Sequence, residues 1–434
     1  MALTVTTARK LVGPLAQCGL LVIGLVQAAP AQPLTLSKDR LARIDQVFKA
    51  WADSGKVAGV LGLVMQHGKV AYQGAYGWAD KEAGKALTAN TMFRIASQTK
   101  AVTSVAIMML YEEGKLGLGD PVSRWMPTFA GSKVASQADT GRTVVPAKRS
   151  ITIRDLLTHT AGISYGTDPI VAPLYQAQGL GPAAGYGWYT ADKDEPICAT
   201  MDRLGALPFV AQPGEKYVYG YNTDILGCIV ERVSGLPLDQ FFAQRIFGPV
   251  GMPDTYFFVP AEKAGRLAAV YRPGPDGTLI KAEEGARGQG HYVAGPRKSF
   301  AGGAGLVSTA RDYARFLQML LNGGVIDGQR LLGPNTVRLM TTNMVGTLFS
   351  PNGQGFGLGF LTQDRFGASN SPMSVGSYGW GGAYQTVYTV DPVQGLVLVM
   401  MTQNLPGLPV DMSGRYSALV YQALVPAPAP ARRP

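Results

Sequence analysis

One stretch of the sequence, "FRIASQTKAVTSVAIMML" (Phe93 to Leu110), constrains the fold most strongly. From Ser97 onward it is apolar on nearly every side of a helix, which is typical of a helix buried inside a protein. The chain has 434 residues, of which 46% are hydrophobic and 16% are charged. It is therefore long enough to form a large core, and its composition argues against disorder.

A lysine within this helix needs an explanation, because lysine is almost never fully buried without a partner. Lys100 lies three residues after Ser97 and so shares its helix face. Burial and the positive end of the helix both favour the neutral amine, which can take the proton of a serine nucleophile. Alternatively, Ser97 caps the helix while Lys100 extends to water. That alternative is weakened because a capping box requires Glu or Gln at position 100.

Helix and strand patterns near the two ends of the chain predict the fold class. A helix with Ser37 as its N-cap is predicted over 36–52, and a hairpin that turns at His67-Gly68 follows. Near the other end, a second hairpin turns at Asp391-Pro392 and a helix runs over 412–424. These patterns predict an α/β fold, more closely an α+β sandwich, in which both ends of the chain build one antiparallel sheet flanked by helices.

The remainder of the chain suggests four parts. They are a signal peptide (1–31), a sheet lobe (about 32–115 and 298–425), an inserted, mainly helical lobe (about 116–297) and a proline-rich tail (426–434). The two lobes together form one domain over 32–425. Clefts between lobes are common sites of chemistry.

The first residues resemble a cleavable secretory signal. Arg9 and Lys10 precede an apolar run, and Ala29-Pro30-Ala31 fits a small-x-small cleavage site. An uncleaved N-terminal anchor is the alternative. No later stretch is apolar for long enough to span a bilayer, so we expect a periplasmic or secreted protein that does not insert into the membrane after cleavage.

Charge, histidines and cysteines limit the partners and cofactors. The formal charge of +10 comes from scattered basic residues without aromatic interleaving, so no nucleic-acid partner is expected. His67, His159 and His291 are far apart in the sequence, and we expect no metal. Cys198 and Cys228 remain after signal cleavage, and whether they form a disulfide is left open, as is the oligomeric state.

A second segment, "PGEKYVYGYNTDILGCIVERVSG", places a tyrosine where an extended run meets a helix. Tyr219 ends the extended run, a helix spans about 223–235, and Asn222 is expected to be its N-cap. A phenol at such a junction can point into a cleft, share a proton with Lys100 and activate Ser97. The alternative is an ordinary packed tyrosine.

A third segment, "SYGWGGAYQTVYTV", is rich in glycine. Gly379, Gly381 and Gly382 allow the backbone to approach a ligand closely, and the strand expected to start at Ala383 presents amide groups. The amides of Ala383 and Ser97 can together stabilise an oxyanion. Glycines beside a strand also mark ordinary bulges and turns.

In this order, the three segments resemble the motifs of the serine β-lactamase and penicillin-binding superfamily. The resemblance covers about 43–424 and is strongest to the class C-like branch, which includes the family VIII carboxylesterases. It implies Ser97 as the nucleophile, Lys100 as its paired lysine and Tyr219 as the tyrosine of the second motif. It further implies a substrate-binding Trp380-Gly381-Gly382, an oxyanion amide at Ala383 and no cofactor.

Two departures from the family pattern affect the expected activity. The second motif of the β-lactamases in this branch is Tyr-x-Asn, whereas Tyr221 stands at its third place here. Their third motif begins with a lysine that attracts a substrate carboxylate, whereas Trp380 occupies that place here. An indole should favour neutral, apolar groups, and the W-G-G form occurs in family VIII esterases.

Ser164 is a rival nucleophile, because "GISYG" matches G-x-S-x-G. That motif requires a strand before the serine and a helix after it, whereas the sequence predicts a helix before Ser164 and a loop after it. We therefore expect Ser97 to be the nucleophile of an exported serine hydrolase that cleaves small carboxylic esters through a covalent acyl-serine intermediate. The alternatives are a β-lactamase or D-alanyl peptidase, a hydrolase of small amides, an acyltransferase, and a non-catalytic penicillin- or peptidoglycan-binding sensor.

Overall fold

The computed structural model describes residues 33–138, 141–185, 189–285, 288–407 and 411–427. The predicted signal peptide and most of the predicted proline-rich tail lie outside the described residues. Within the described ranges, no helix is long and apolar enough to cross a membrane.

Helices and strands are numbered along the described part of the chain. The helices are α1 (Lys38–Asp53), α2 (Thr99–Glu112), α3 (Ile153–Leu157), α4 (Ala172–Ala177), α5 (Ile197–Gly205), α6 (Asn222–Ser234), α7 (Leu238–Phe242), α8 (Gly248–Val250), α9 (Ala310–Leu321), α10 (Pro334–Met340) and α11 (Met412–Tyr421). The strands are β1 (Leu34–Leu36), β2 (Gly59–Gln66), β3 (Lys69–Asp80), β4 (Lys85–Ala86), β5 (Phe93–Arg94), β6 (Lys133–Ala138), β7 (Gly141–Pro146), β8 (Pro208–Phe209), β9 (Tyr271–Pro273), β10 (Leu279–Lys281), β11 (Val307–Ser308), β12 (Val325–Ile326), β13 (Gln329–Arg330), β14 (Gln354–Phe356), β15 (Leu361–Gln363), β16 (Tyr378–Gly382), β17 (Thr386–Asp391), β18 (Leu396–Met401) and β19 (Leu424–Pro426).

The main sheet joins the two ends of the chain. Its eight strands lie in the order β14-β15-β16-β17-β18-β2-β3-β4, and every neighbouring pair is antiparallel. The junction is the pairing of β18 with β2, which runs from Leu396 opposite Gln66 to Met401 opposite Leu61. The predicted fold class, an antiparallel sheet built from N- and C-terminal segments and flanked by helices, is confirmed.

Side-chain alternation along the sheet separates two buried layers. In β18, Val397, Val399 and Met401 belong to the large core around α2 and α9. Their neighbours Leu398 and Met400 belong to the smaller core beneath α1 and α11. Because successive residues of a strand point to opposite faces, one apolar strand fills both layers.

Helix α2 lies inside the larger layer. Every residue from Thr99 to Leu110 is buried, as the apolar pattern predicts. It packs against α6, and α6 is joined to α5 by a disulfide between Cys198 and Cys228. The segment 116–297 contributes α3 to α8 with short strands, and its boundaries as a separate lobe stay a prediction.

Two helix boundaries differ from the prediction. Ser37 occupies the N-cap position of α1, but its side chain makes no capping hydrogen bond, and the helix starts at Lys38. Helix α11 ends at Tyr421 rather than at Leu424. The reason is that the following residues turn and pair, as β19, with β1 at the other end of the chain.

Candidate active site

Ser97 lies in a tight turn at the start of the buried helix. Ala96, the residue before it, has a φ of 42° and is fully buried. A non-glycine residue in this left-handed region costs on the order of 1–3 kcal/mol, and such strain clusters at functional sites. A short 3₁₀ turn over Ala96–Gln98 leads directly into α2, so Ser97 is presented at the N-terminal end of that helix.

Ser97 lines a pocket of about 450 Å³. The other residues that line this pocket are Tyr165, Tyr219, Trp380, Gly381, Gly382 and Ala383. The sequence-predicted site residues thus converge on one cavity, although they lie nearly three hundred positions apart in the chain. Lys100 lies beside this pocket, against Ser97.

Lys100 is 2% exposed and has three polar contacts. Its Nζ lies 3.1 Å from Ser97 Oγ, 3.0 Å from Tyr165 Oη and 2.8 Å from the carbonyl oxygen of Gly303. The side chain is therefore held within the protein rather than extending to water, so the geometry opposes the capping interpretation. An amine at hydrogen-bond distance from a serine hydroxyl can exchange a proton with it.

Tyr219 packs over the lysine rather than bonding to it. Lys100 Nζ lies 4.6 Å from the centroid of the Tyr219 ring, and the Tyr219 hydroxyl accepts a hydrogen bond of 3.1 Å from Trp380 Nε1. The phenol expected from the second motif therefore faces the same pocket, but its described hydrogen bond runs to the indole of the third motif.

Tyr165 was not among the site residues predicted from the sequence, although its neighbour Ser164 was a candidate nucleophile. Its hydroxyl contacts Lys100 across a sequence separation of 65 residues. Burial, followed by the proximity of Tyr219 and of Asp224, raises the pKa of Tyr165 well above its usual range. It is therefore a neutral phenol. No periodicity or spacing connects positions 100 and 165, so the sequence held no signal for this contact.

Asn222 is the first residue of α6 and not its N-cap, which corrects the sequence-based expectation. Its Nδ2 donates to His159 Nδ1 at 2.9 Å and to the carbonyl of Val218 at 3.2 Å. These hydrogen bonds hold the loop that carries Tyr219. Because the Asn222 amide is used in them, it does not cap α6. Tyr221, at the third place of the motif, accepts a hydrogen bond from the amide of Gly181 inside the protein.

His159 packs against Tyr219, and no carboxylate among the described residues bonds to its ring. Its ring centroid lies 4.7 Å from that of Tyr219, and it is fully buried. Burial, and secondarily the nearby Lys100, lowers the pKa of His159 well below its usual range. The imidazole is therefore neutral, and since its Nδ1 accepts from Asn222 the ring serves as packing rather than as part of a serine triad.

The glycines of the third motif bring β16 against the Ser97 turn. A Cβ on Gly382 would lie 2.3 Å from the carbonyl oxygen of Ile95, so only glycine permits this approach. Ala383, the next residue, lies in the turn between β16 and β17 and not at the start of a strand, which corrects the expectation from the sequence. It lines the same pocket as Ser97. Their backbone amides are the two donors that the sequence analysis expects at a developing oxyanion.

Ser164 lies outside this pocket. It is 5% exposed, and its Oγ accepts a hydrogen bond from the amide of Gly166. The structure places α3 before it and irregular chain after it, without the strand and helix of a nucleophile elbow. Within the part of the chain that the structure describes, Ser164 therefore has no activating partner comparable to Lys100.

Comparison with known proteins agrees with this geometry. A family model described as Beta-lactamase matches residues 44–423. Protein Rv1367c of Mycobacterium tuberculosis (strain ATCC 25618 / H37Rv) is 38% identical over 378 residues, which cover 83% of this chain and 89% of that protein. Esterase EstB of Burkholderia gladioli is 31% identical over 397 residues, which cover 87% of this chain and 94% of EstB.

A solved structure shows the same fold. EstCE1, described as a hydrolase with promiscuous acyltransferase activity, aligns with a TM-score of 0.72 and 29% identity, covering 89% of this chain and 98% of that chain. The fold, the converging motifs and the family match together lead to one conclusion. The chain belongs to the Beta-lactamase family, within the serine β-lactamase and penicillin-binding superfamily and close to the family VIII esterases, and it is a serine hydrolase.

Proposed function

We propose that this protein is exported and cleaves carboxylic esters through a covalent acyl-serine intermediate. The observation that carries the proposal is the 3.1 Å contact between Ser97 Oγ and the buried Lys100 Nζ at a pocket walled by Trp380. The contact supplies a nucleophile with its base, and the indole determines which substrates fit.

The reaction proceeds in two balanced halves. Ser97 Oγ attacks the ester carbonyl and its proton passes to Lys100, while the amides of Ser97 and Ala383 hold the oxyanion. The alcohol then leaves with a proton delivered through Tyr219 and the lysine. In the second half, water attacks the acyl-serine, its proton passes to the same base, and release of the carboxylic acid restores the Ser97 hydroxyl.

The pocket walls favour neutral substrates. None of the described residues that line it carries a cationic side chain. The indole N–H of Trp380 is already bonded to Tyr219, so the tryptophan offers mainly its apolar ring to a ligand. Without a cation to offset its desolvation, a substrate carboxylate costs more to bind than a neutral acyl or alcohol group.

Export is supported by two features. The first residues have the charge, apolar run and small-x-small site of a secretory signal. Disulfides such as Cys198–Cys228 persist in oxidising compartments. N-terminal sequencing of the protein recovered from the periplasm or the medium should begin at Gln32. Recovery of the uncleaved chain from the membrane fraction would contradict this part of the proposal.

A substrate panel tests the activity. Purified protein is assayed with p-nitrophenyl butyrate, nitrocefin and a peptide ending in D-Ala-D-Ala, alongside Ser97→Ala and the matched control Ser164→Ala. We expect steady ester turnover that Ser97→Ala abolishes and Ser164→Ala largely keeps. Nitrocefin or peptide turnover that equals ester turnover would contradict the ester preference. A single burst of product release without further turnover would indicate a non-catalytic penicillin- or peptidoglycan-binding sensor.

A further inference from the structure

Asp224 is a buried carboxylate that the mechanism above does not use. It is the third residue of α6 and is 0% exposed. Its Oδ1 accepts a hydrogen bond of 3.0 Å from the amide of Gly303. Its Oδ2 has no hydrogen-bond partner within the described residues. A buried carboxylate with one unbonded oxygen lowers the stability of the folded protein, so its presence points to a role beyond packing.

The residue held by this carboxylate contacts the catalytic amine. The carbonyl oxygen of Gly303 lies 2.8 Å from Lys100 Nζ, while its amide bonds to Asp224. The neighbouring carbonyl, that of Gly302, accepts from Thr103 Oγ1 at 2.7 Å. A Cβ on Gly303 would lie 2.5 Å from Asp224 Oδ2, so the turn and the carboxylate fit only with glycine there.

This arrangement directs the lone pair of the amine. A neutral amine has two N–H groups and one lone pair. A carbonyl oxygen can only accept, so Gly303 takes one N–H, and the hydroxyl of Tyr165 is positioned to take the other. The lone pair is then left for the third neighbour, Ser97 Oγ at 3.1 Å. A base must present its lone pair to the proton that it removes.

We propose that Asp224 is a positioning residue, which orients Lys100 toward Ser97 by fixing the Gly303 carbonyl. The proposal rests on the proposed function, since it requires Lys100 to be the base of Ser97. It predicts that Asp224 governs the rate of nucleophile activation although it does not touch the substrate pocket.

The charge of Asp224 adds a signature that packing alone would not produce. Burial raises the pKa of Asp224 to about 6, against the opposing effect of Lys100. The groups that interact with it are Lys100 on α2, Tyr165, Tyr221 and the Gly303 amide. The carboxylate is therefore charged above about pH 6 and neutral below it, which changes the charge beside the Gly303 turn near that pH. Asparagine does not titrate, so Asp224→Asn should lack the step near pH 6 that Asp224 adds to the pH profile of labelling.

Three variants test the proposal. Asp224→Ala removes the hydrogen bond to Gly303, whereas Asp224→Asn keeps an acceptor and removes only the charge. The matched control is Asp312→Asn, because Asp312 is also buried, is also the third residue of its helix and bonds to Asp254 and Thr255 away from the pocket. The readouts are the rate of Ser97 labelling by a fluorophosphonate probe, its pH dependence and the melting temperature.

We expect Asp224→Ala to label about 10²-fold more slowly, since a catalytic group displaced by about 1 Å loses that much. Asp224→Asn should keep most of the plateau rate and should lack the wild-type step near pH 6 in the pH profile. Asp312→Asn should keep the wild-type labelling profile.

Two results would overturn the proposal. One is a folded Asp224→Ala variant that labels at the wild-type rate, and the other is an Asp224→Asn variant whose pH profile keeps the wild-type step near pH 6. If Asp224→Ala does not fold, the Asp224→Asn profile decides alone. The proposed function fails separately, through a wild type that does not label or a label that survives Ser97→Ala.

Discussion

At the scale of single residues, two side-chain hydroxyls and one backbone carbonyl meet around one buried amine. Ser97, Tyr165 and the Gly303 carbonyl surround Lys100 Nζ at 2.8–3.1 Å, and Tyr219 lies over it. The two tyrosines differ in their partners. The Tyr165 hydroxyl contacts the amine, whereas the Tyr219 hydroxyl bonds to Trp380 beside the open pocket.

This difference predicts unequal effects of two matched substitutions. Tyr219→Phe removes the hydroxyl that we propose as the proton donor to the leaving alcohol, and we expect kcat to fall by about 10²–10⁴-fold. Tyr165→Phe removes one hydrogen bond to the amine and should cost about tenfold, which corresponds to roughly 1.4 kcal/mol. Steady-state kinetics with p-nitrophenyl butyrate, compared at equal folded fraction, measures both. A larger loss of kcat in Tyr165→Phe than in Tyr219→Phe would instead assign proton delivery to Tyr165.

His159 predicts a pH dependence of stability. Its pKa is lowered by burial, so below about pH 6.5 the unfolded chain binds a proton that the folded protein does not. Its contribution to stability is therefore lost as pH falls below about 6.5, by up to about 1.4 kcal/mol per pH unit. His159→Asn does not titrate, so the stability advantage of the wild type over this variant should shrink between pH 7 and pH 5.

Denaturant unfolding at several pH values measures this effect. The control is His67→Asn at an exposed turn whose φ of 49° asparagine tolerates. Parallel stability curves for the wild type and His159→Asn would contradict a neutral buried imidazole.

At the scale of elements, sequence patterns predicted the helices and hairpins better than the contacts between them. The apolar run predicted that α2 is buried, and turn signals predicted both hairpins, because periodicity and turn chemistry are local. The contact of Tyr165 with Lys100, and that of Asp224 with Gly303, depend on how distant loops pack. Asn222 likewise bonds to His159 in another loop instead of capping α6, and a contact between distant loops could not be predicted from the local pattern.

The disulfide between α5 and α6 makes an element-scale prediction. It closes a loop with a sequence separation of 30 residues, and a loop of that size stabilises a protein by roughly 3–4 kcal/mol. The double variant Cys198→Ser/Cys228→Ser should lose about that much unfolding free energy, while kcat of the folded protein stays similar because neither cysteine lines the pocket.

Denaturant unfolding with and without a reductant checks the disulfide. Reductant should destabilise the wild type to the level of the double variant and leave that variant unchanged. Equal stability of the oxidised wild type and the double variant would contradict a stabilising bridge.

At the scale of the whole molecule, the site is complete only when three parts of the chain come together. Ser97 and Lys100 come from the N-terminal part, Tyr165 and Tyr219 from the middle, and the strand before Ala383 from the C-terminal part. The pairing of β18 with β2 joins the first and last parts in one sheet. The family resemblance predicted which motifs would meet, but the hydrogen bonds among them required the folded chain.

The most direct test of the account identifies the residue that carries the acyl group. Wild-type protein is mixed with p-nitrophenyl butyrate, quenched in acid during turnover, digested and mapped by mass spectrometry. The account predicts a butyryl group on the peptide that contains Ser97, formed at a rate no slower than kcat and absent in Ser97→Ala. A butyryl group on Ser164, or turnover without any acylated serine, would contradict it.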